Sequence, residues 1–206
     1  MITLDQTVFD FIYSLAGQSR ILDWFGVFFA EYMPIIFVGL VLYFLIREGT
    51  WIKKVERFVI LAFTFVLSYG IFGGILHFFI LRNRPFIDLG FSPLFTETGN
   101  AFPSRHALIL FSIAALIFSF NKRIGLWLFF FALVNGFARV FVGVHWPSDI
   151  VGGAIIGIIS YIIASVVLGR FFKKREESPD SKDDIFEEEN KEDIKTQEKE
   201  SLKTGK

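Results

Sequence analysis

Long apolar runs alternate with short polar breaks along most of this chain, and the lengths of the runs predict its architecture. From Ile21 to Phe172 the sequence is mostly apolar, and from Lys173 to Lys206 it is almost entirely polar. A helix needs about 20 apolar residues to cross a bilayer. Trp24–Ile46, Val55–Leu81, Ile124–Val142 and Ile150–Phe172 fit that length. His106–Phe120, extended by Ser104 at its start, lies near the lower limit. Between the second and third runs, Arg82 to Pro103 contains Pro85, Gly90, Pro93, Gly99 and Asn100, which is loop composition. The predicted fold is all-α, an integral membrane helical bundle of five spans, or six if the N-terminal segment inserts.

That N-terminal segment places Leu4, Val8, Phe11, Ile12 and Leu15 at helical spacing, with Asp5, Gln6 and Asp10 between them. The pattern predicts a short amphipathic helix lying on the membrane. It does not read as a cleavable signal peptide, because it lacks a basic start and two aspartates interrupt its apolar residues. The predicted organisation is therefore an interfacial helix over residues 1–20, a membrane domain over 21–172 and a disordered, charged cytoplasmic tail over 173–206. The tail is rich in Glu, Asp and Lys and nearly free of aromatics.

Composition and charge sharpen this picture. Of 206 residues, 53% are hydrophobic, above the 45–50% usual in soluble domains. The formal net charge of zero averages a basic membrane part with an acidic tail. Basic residues sit at helix ends and form no stripe suited to nucleic acid. The chain has no cysteine, which excludes disulfides, thiolate catalysis and cysteine-ligated zinc. Arg47, Lys53, Lys54 and Arg57 follow the first run, Lys122 and Arg123 follow the third, and Arg170, Lys173, Lys174 and Arg175 close the fifth. With five spans all three places fall on one side, which the excess of positive charge predicts to be cytoplasmic. Trp24 and Trp146 then mark the outer interface, and Trp51 and Trp127 the inner one.

Three polar clusters interrupt the apolar chain, and all three fall at the outer surface in this arrangement. They are Arg82-Asn83-Arg84-Pro85, then Pro103-Ser104-Arg105-His106, then Arg139 with His145 and Asp149. Arg84, Arg105 and Arg139 supply forked cationic donors suited to phosphate oxygens. Ser104 is placed to cap a helix whose first amides would face an anion. A turn at Trp146-Pro147 would bring Asp149 onto one nitrogen of His145 and leave the other free to attack. Two histidines beside one phosphate site suggest a nucleophile and a general acid.

These motifs resemble those of the type 2 phosphatidic acid phosphatase family of membrane lipid phosphatases. The family carries Lys-x6-Arg-Pro, Pro-Ser-Gly-His and Ser-Arg-x5-His-x3-Asp; the matching stretches run from His77 to Arg84-Pro85, over Pro103-Ser104-Arg105-His106, and from Ala138-Arg139 through His145 to Asp149. The resemblance covers roughly Trp24 to Arg170. It implies that His145 attacks phosphorus, that Asp149 orients it, and that His106 protonates the leaving oxygen and then activates water. It further implies that Arg84, Arg139, Ser104 and the amides near Arg105 hold the phosphate oxygens, with no metal and no cofactor in the scheme. The sequence departs from the family at His77 in place of lysine, Arg105 in place of glycine and Ala138 in place of serine. The run Asp23 to Pro34 resembles the undecaprenyl-diphosphatase branch, which implies cleavage of undecaprenyl diphosphate. The in-class rivals are phosphatases of phosphatidylglycerophosphate, phosphatidate or lipid A, and a lipid phosphotransferase. The rival of another class is a non-catalytic scaffold or transporter.

Other residues carry plainer readings. Arg82 reads as a headgroup contact. His77 is either a phosphate ligand or a polar group packed in the bundle. Glu31, a charge inside the first run, either pairs with His77 or a site arginine or bonds to a neighbouring helix as a neutral acid. Asn135 reads as structural, and Gly153 with Gly157 as a packing step within the bundle. The orientation makes a direct prediction: a reporter fused after Lys206 reads as cytoplasmic, and an external signal inverts the assignment.

Overall fold

The computed structural model describes residues 4–47 and 50–176, and the predicted tail beyond 176 lies outside them. Helix α1 spans Leu4–Tyr13. Helix α2 spans Arg20–Arg47 and α3 spans Trp51–Phe79. A short helix α4, Pro85–Asp88, lies within the expected loop. Helices α5, Arg105–Phe120, α6, Lys122–Phe141, and α7, Pro147–Glu176, complete the described order. Four of these, α2, α3, α6 and α7, are long and apolar enough to cross a membrane. Each contains or closely matches one of the expected runs. The chain divides into two compact units, Met1–Ser165 and Val166–Lys206. The first holds every site residue; in the second, Val167 and Phe171 expose apolar side chains.

Helix α5 is the shorter exception and the centre of the first unit. Its 16 residues rise about 24 Å, less than the roughly 30 Å of a hydrocarbon core. Its side chains from Ala107 to Ile117 are buried at nearly every position, whereas α2, α3 and α6 turn large apolar side chains outward. Phe78, Ile35 and Leu126 are among these exposed residues. An apolar exterior around a buried apolar helix is the arrangement lipid permits, since lipid tails are as apolar as the side chains they meet.

Local sequence explains how α5 is held. Ser104 caps its start by accepting a bond from the Ala107 amide. Asn121 ends α5 and also caps α6, its Oδ1 accepting from the Ile124 amide at 3.1 Å. Gly125 lets α6 turn back at once: a Cβ there would lie 2.3 Å from Phe118 Cα. On the other flank α7 crosses α5 through the expected glycine step. A Cβ at Gly157 would lie 2.4 Å from the Leu108 carbonyl, and one at Gly153 would lie 2.7 Å from the Ser104 carbonyl.

Helix α1 departs from the expected pose in one respect. Leu4 and Phe11 are exposed, in keeping with an outward apolar stripe, but Phe9 is fully buried and Asp5 points into the protein. Phe9 packs on Trp146 with ring centroids 5.1 Å apart and stacks on Tyr13. Asp5 accepts from the Ser148 amide at 2.9 Å, from the Ser148 hydroxyl at 2.6 Å and from Arg82 at 2.5 Å. Burial disfavours ionisation of Asp5, but its bonds to Ser148 and Arg82 outweigh that, and its pKa falls below the usual 3.8. A depressed carboxyl pKa stabilises the docked helix above the unfolded value, and this contribution is lost as pH falls through the folded one. The face of α1 that carries Asp5 and Phe9 therefore docks onto protein, a fact its periodicity does not encode.

The glycine contacts separate two substitutions. Gly157→Ala forces backbone movement at the α5–α7 crossing and destabilises the folded protein by about 1–3 kcal/mol. Gly39→Ala, at a helical position with nothing within 4 Å of the added Cβ, leaves stability unchanged or raises it. Thermal unfolding in detergent checks both.

Candidate active site

The site forms where the α3–α5 loop, the start of α5 and the α6–α7 turn meet. At that turn Gly143 adopts φ +88°, and a Cβ on it would lie 2.8 Å from Phe91. A left-handed glycine thus lets the chain reverse between Arg139 and His145. Asp149 then lies in the first turn of α7, with its Oδ2 accepting from the Trp146 amide at 2.8 Å. The same oxygen is 3.4 Å from His145 Nδ1. The opposite ring nitrogen, Nε2, faces Arg84 Nη1 at 3.4 Å. His145 thus has one ring nitrogen near the Asp149 carboxylate, without a hydrogen bond to it among the described residues, and the other near Arg84.

Arg139 and Arg84 form the cationic floor. Arg139 is fully buried and Arg84 is 4% exposed. Arg84 donates to the Val144 carbonyl at 2.9 Å, to Gly99 at 3.1 Å and to Thr98 at 3.3 Å. These bonds tie the α3–α5 loop to the turn before His145. Arg139 Nη1 donates to the Ala30 carbonyl at 3.3 Å, and Asn135 donates to Phe29 at 2.7 Å and Ala30 at 3.2 Å. Those carbonyls lie in a π-helical stretch, Phe28–Tyr32, inside α2. A π-helical turn shifts the backbone bonding pattern of a helix and is common where helices serve function. Here its carbonyls take up the two buried polar side chains of α6. Asn135 is structural, as expected, and it acts beside Arg139.

Electrostatics keep His145 neutral. Burial comes first, followed by the charges of Arg139 and Arg84 and then by His106; together they lower its pKa well below 6.5. A neutral imidazole offers its Nε2 lone pair throughout the neutral range. The influence of His106 places the second histidine in the same neighbourhood, and its Nδ1 is buried without a hydrogen-bond partner among the described residues.

The remaining expected residues take supporting places. Ser104 is fully buried, and its hydroxyl serves as the helix cap while its amide donates to the Asp149 carbonyl at 3.1 Å. Arg105 is exposed and lies over the Tyr69 ring, 5.6 Å from its centroid. Its charge still reaches Arg84, whose pKa burial lowers first; Glu97 opposes that shift and Arg105 adds to it. His77 is half-buried, and its carbonyl accepts from the Asn100 side chain at 2.6 Å. Ala138 is buried with Ala30, Val142 and Val144, so the missing serine hydroxyl is replaced by apolar packing. Glu31 is exposed and joins no ion pair among the described residues, though its charge is felt at Arg139.

Two residues stand out that the sequence reading misplaced or missed. Arg82, expected at a lipid headgroup, donates to Asp149 Oδ1 at 2.7 Å and to Ser148 Oγ at 2.6 Å, besides its bond to Asp5. It holds the carboxylate that faces His145. Glu97 enters the floor itself, pairing with Arg84 at 2.7 Å and with Arg139. Arg82 lies at an unspecified position within the first motif, and the only sequence signal for Glu97 was an acidic residue in a loop between two motifs.

Residues 57–173 match the PAP2 superfamily. The chain is 36% identical over 161 residues to the bacitracin transport permease protein BcrC of Bacillus licheniformis, which covers 76% of this chain and 77% of that one. It is 29% identical over 161 residues to the undecaprenyl-diphosphatase BcrC of Bacillus subtilis strain 168, covering 76% and 80%. The crystal structure of Aquifex aeolicus LpxE superposes with a TM-score of 0.67 at 29% identity, covering 79% of this chain and 94% of that one. With the three motif stretches inside the matched region, the chain belongs to the PAP2 superfamily.

Proposed function

We infer that this protein is a membrane lipid phosphatase that cleaves undecaprenyl diphosphate to the monophosphate through a phosphohistidine at His145. The observation that carries the reading is the pose of His145: Nδ1 lies 3.4 Å from Asp149, and Nε2 lies 3.4 Å from the buried Arg84 guanidinium, which shares a Glu97 oxygen with the buried Arg139. In the reaction Nε2 attacks the terminal phosphorus, the bond to the bridging oxygen breaks, and His106 donates a proton to that oxygen. His106 then takes a proton from water as it attacks the phosphohistidine, which releases inorganic phosphate and restores His145. Arg84 and Arg139 meet the charge that grows on the phosphoryl oxygens. The likeness to the Bacillus subtilis diphosphatase supports the choice of lipid. Its Bacillus licheniformis relative bears a transport name, but a transporter has no need of a nucleophile, its aspartate and an acid gathered on one phosphate floor. The Aquifex likeness keeps lipid A phosphates among the substrates to be tried.

The proposed placement has the site at the extracytoplasmic surface, α1 on the outer leaflet, the acidic tail in the cytoplasm and α5 as a fifth, short span shielded by its neighbours. Phosphate release by the purified protein in detergent with EDTA tests the chemistry. Undecaprenyl diphosphate should be cleaved faster than phosphatidylglycerophosphate, phosphatidate or a lipid A phosphate. His145→Ala should lower the rate by a factor on the order of 10³ or more. Equal activity in that variant sinks the phosphohistidine, and faster cleavage of another lipid reassigns the substrate.

Arg82 should act through Asp149. Arg82→Ala lowers kcat about 10²-fold, the scale for a misplaced reacting group, with little change in KM, and Arg82→Lys recovers part of the loss. A rise in KM with kcat intact would mark Arg82 as a headgroup contact after all.

A further inference from the structure

Glu97 occupies the position that the proposed reaction requires of a phosphate oxygen. Its Oε2 accepts from Arg84 Nη1 at 2.7 Å, also accepts from Arg139 Nη2, and lies 3.7 Å from His145 Nε2. One carboxylate oxygen thus bridges both buried guanidiniums beside the attacking nitrogen. A phosphorus poised for attack must come within about 3–3.5 Å of Nε2. Glu97 and a phosphoryl group therefore exclude each other.

The surrounding loop allows an exchange. The Glu97 side chain is 28% exposed, while Arg84 is 4% exposed and Arg139 fully buried. Its backbone is held on both sides: Leu94 donates to the Val142 carbonyl at 3.1 Å, and Thr98 and Gly99 accept from Arg84. Side-chain rotation alone can move the carboxylate out while the loop stays attached to the arginine it serves.

We propose that Glu97 is the resident counter-anion of the phosphate site, and that it screens the site so that a ligand enters only by displacing it. The proposal rests on the reading that Arg84 and Arg139 hold phosphate. Two buried cations without an anion would attract any anionic lipid, and in a membrane the commonest phosphate is the phosphodiester, which carries one negative charge. A phosphodiester brings no more charge than the carboxylate it must displace. A terminal phosphate carries about −1.5 to −2 at pH 7 and brings a surplus. The displacement cost is the same for every ligand; only the more highly charged one exceeds it. Tethering makes the carboxylate a strong competitor, since a linked group acts at an effective concentration of order mM.

Two tetrahedral anions of similar size and different charge test this: tungstate, a dianion, and perrhenate, a monoanion. Their binding is measured by thermal shift of the full-length protein in detergent, with wild type and Glu97→Gln compared. In the variant both anions should bind about tenfold more tightly, and perrhenate, without effect on wild type, should become measurable. Phosphatidylglycerol in mixed micelles should then inhibit turnover by the variant and not by wild type. Unchanged or weaker tungstate binding in Glu97→Gln overturns the screening role while leaving the phosphate site intact. Tungstate binding to neither protein overturns the phosphate site and the proposal with it. Should the variant not fold, wild type alone decides: glutamyl endopeptidase should cut after Glu97 faster with tungstate bound, and protection or no change refutes displacement.

Discussion

Two guanidinium groups buried in an apolar bundle set the terms for the rest of this structure. Arg139 is fully buried and Arg84 nearly so, and an unpaired charge in such surroundings costs several kcal/mol. Each therefore draws oxygen atoms from distant parts of the chain. Ala30 comes from the π-helical turn of α2, Val144 from the turn before His145, Thr98 and Gly99 from the long loop, and Glu97 from the same loop. Satisfying the two cations brings α2, the loop and the α6–α7 turn to one place. The same oxygens that stabilise the arginines also locate His145, so the proposed anion site and the proposed nucleophile are built by one set of bonds.

A second network supports the other face of the histidine. Asp149 could turn away from the ring, but Arg82 and the Trp146 amide each hold one of its oxygens. Arg82 is in turn held by Asp5, and Asp5 by Ser148. A hydrogen-bonded chain thus runs from the N-terminal helix to the residue that orients the proposed nucleophile. Phe9 against Trp146 adds apolar contact to that docking.

The order of helices and the principal site residues were legible because each is encoded locally. Span lengths follow from apolar runs, and the cap at Ser104 follows from residue type and position. The motif residues were legible because their spacing places Arg139, His145 and Asp149 about a turn of chain apart. What escaped was encoded between segments. Arg82 and Arg84 look alike as neighbours in one motif, and only the fold sends the first to Asp149 and the second to the phosphate floor. Periodicity assigns Asp5 to a polar face without saying whether water or protein meets it. Glu97 lies in a stretch read only as a loop, and nothing in its neighbours announces that it reaches the arginines.

These misses share a cause that bears on how the fold is divided. The matched family region begins at residue 57, and it contains every motif residue. Yet Asp5 of α1 and the carbonyls of Phe29 and Ala30 lie before it and bond directly to Arg82, Asn135 and Arg139. The N-terminal quarter of the chain is therefore part of the active-site structure, though it supplies no reacting group. It provides oxygen acceptors where the apolar bundle would leave cations and an amide unsatisfied. In a membrane protein those acceptors cannot be replaced by bulk water, because a group facing the bundle has only protein to bond. A motif can name the reacting atoms. Keeping them charged and aligned inside an apolar bundle is a property of the whole helical assembly.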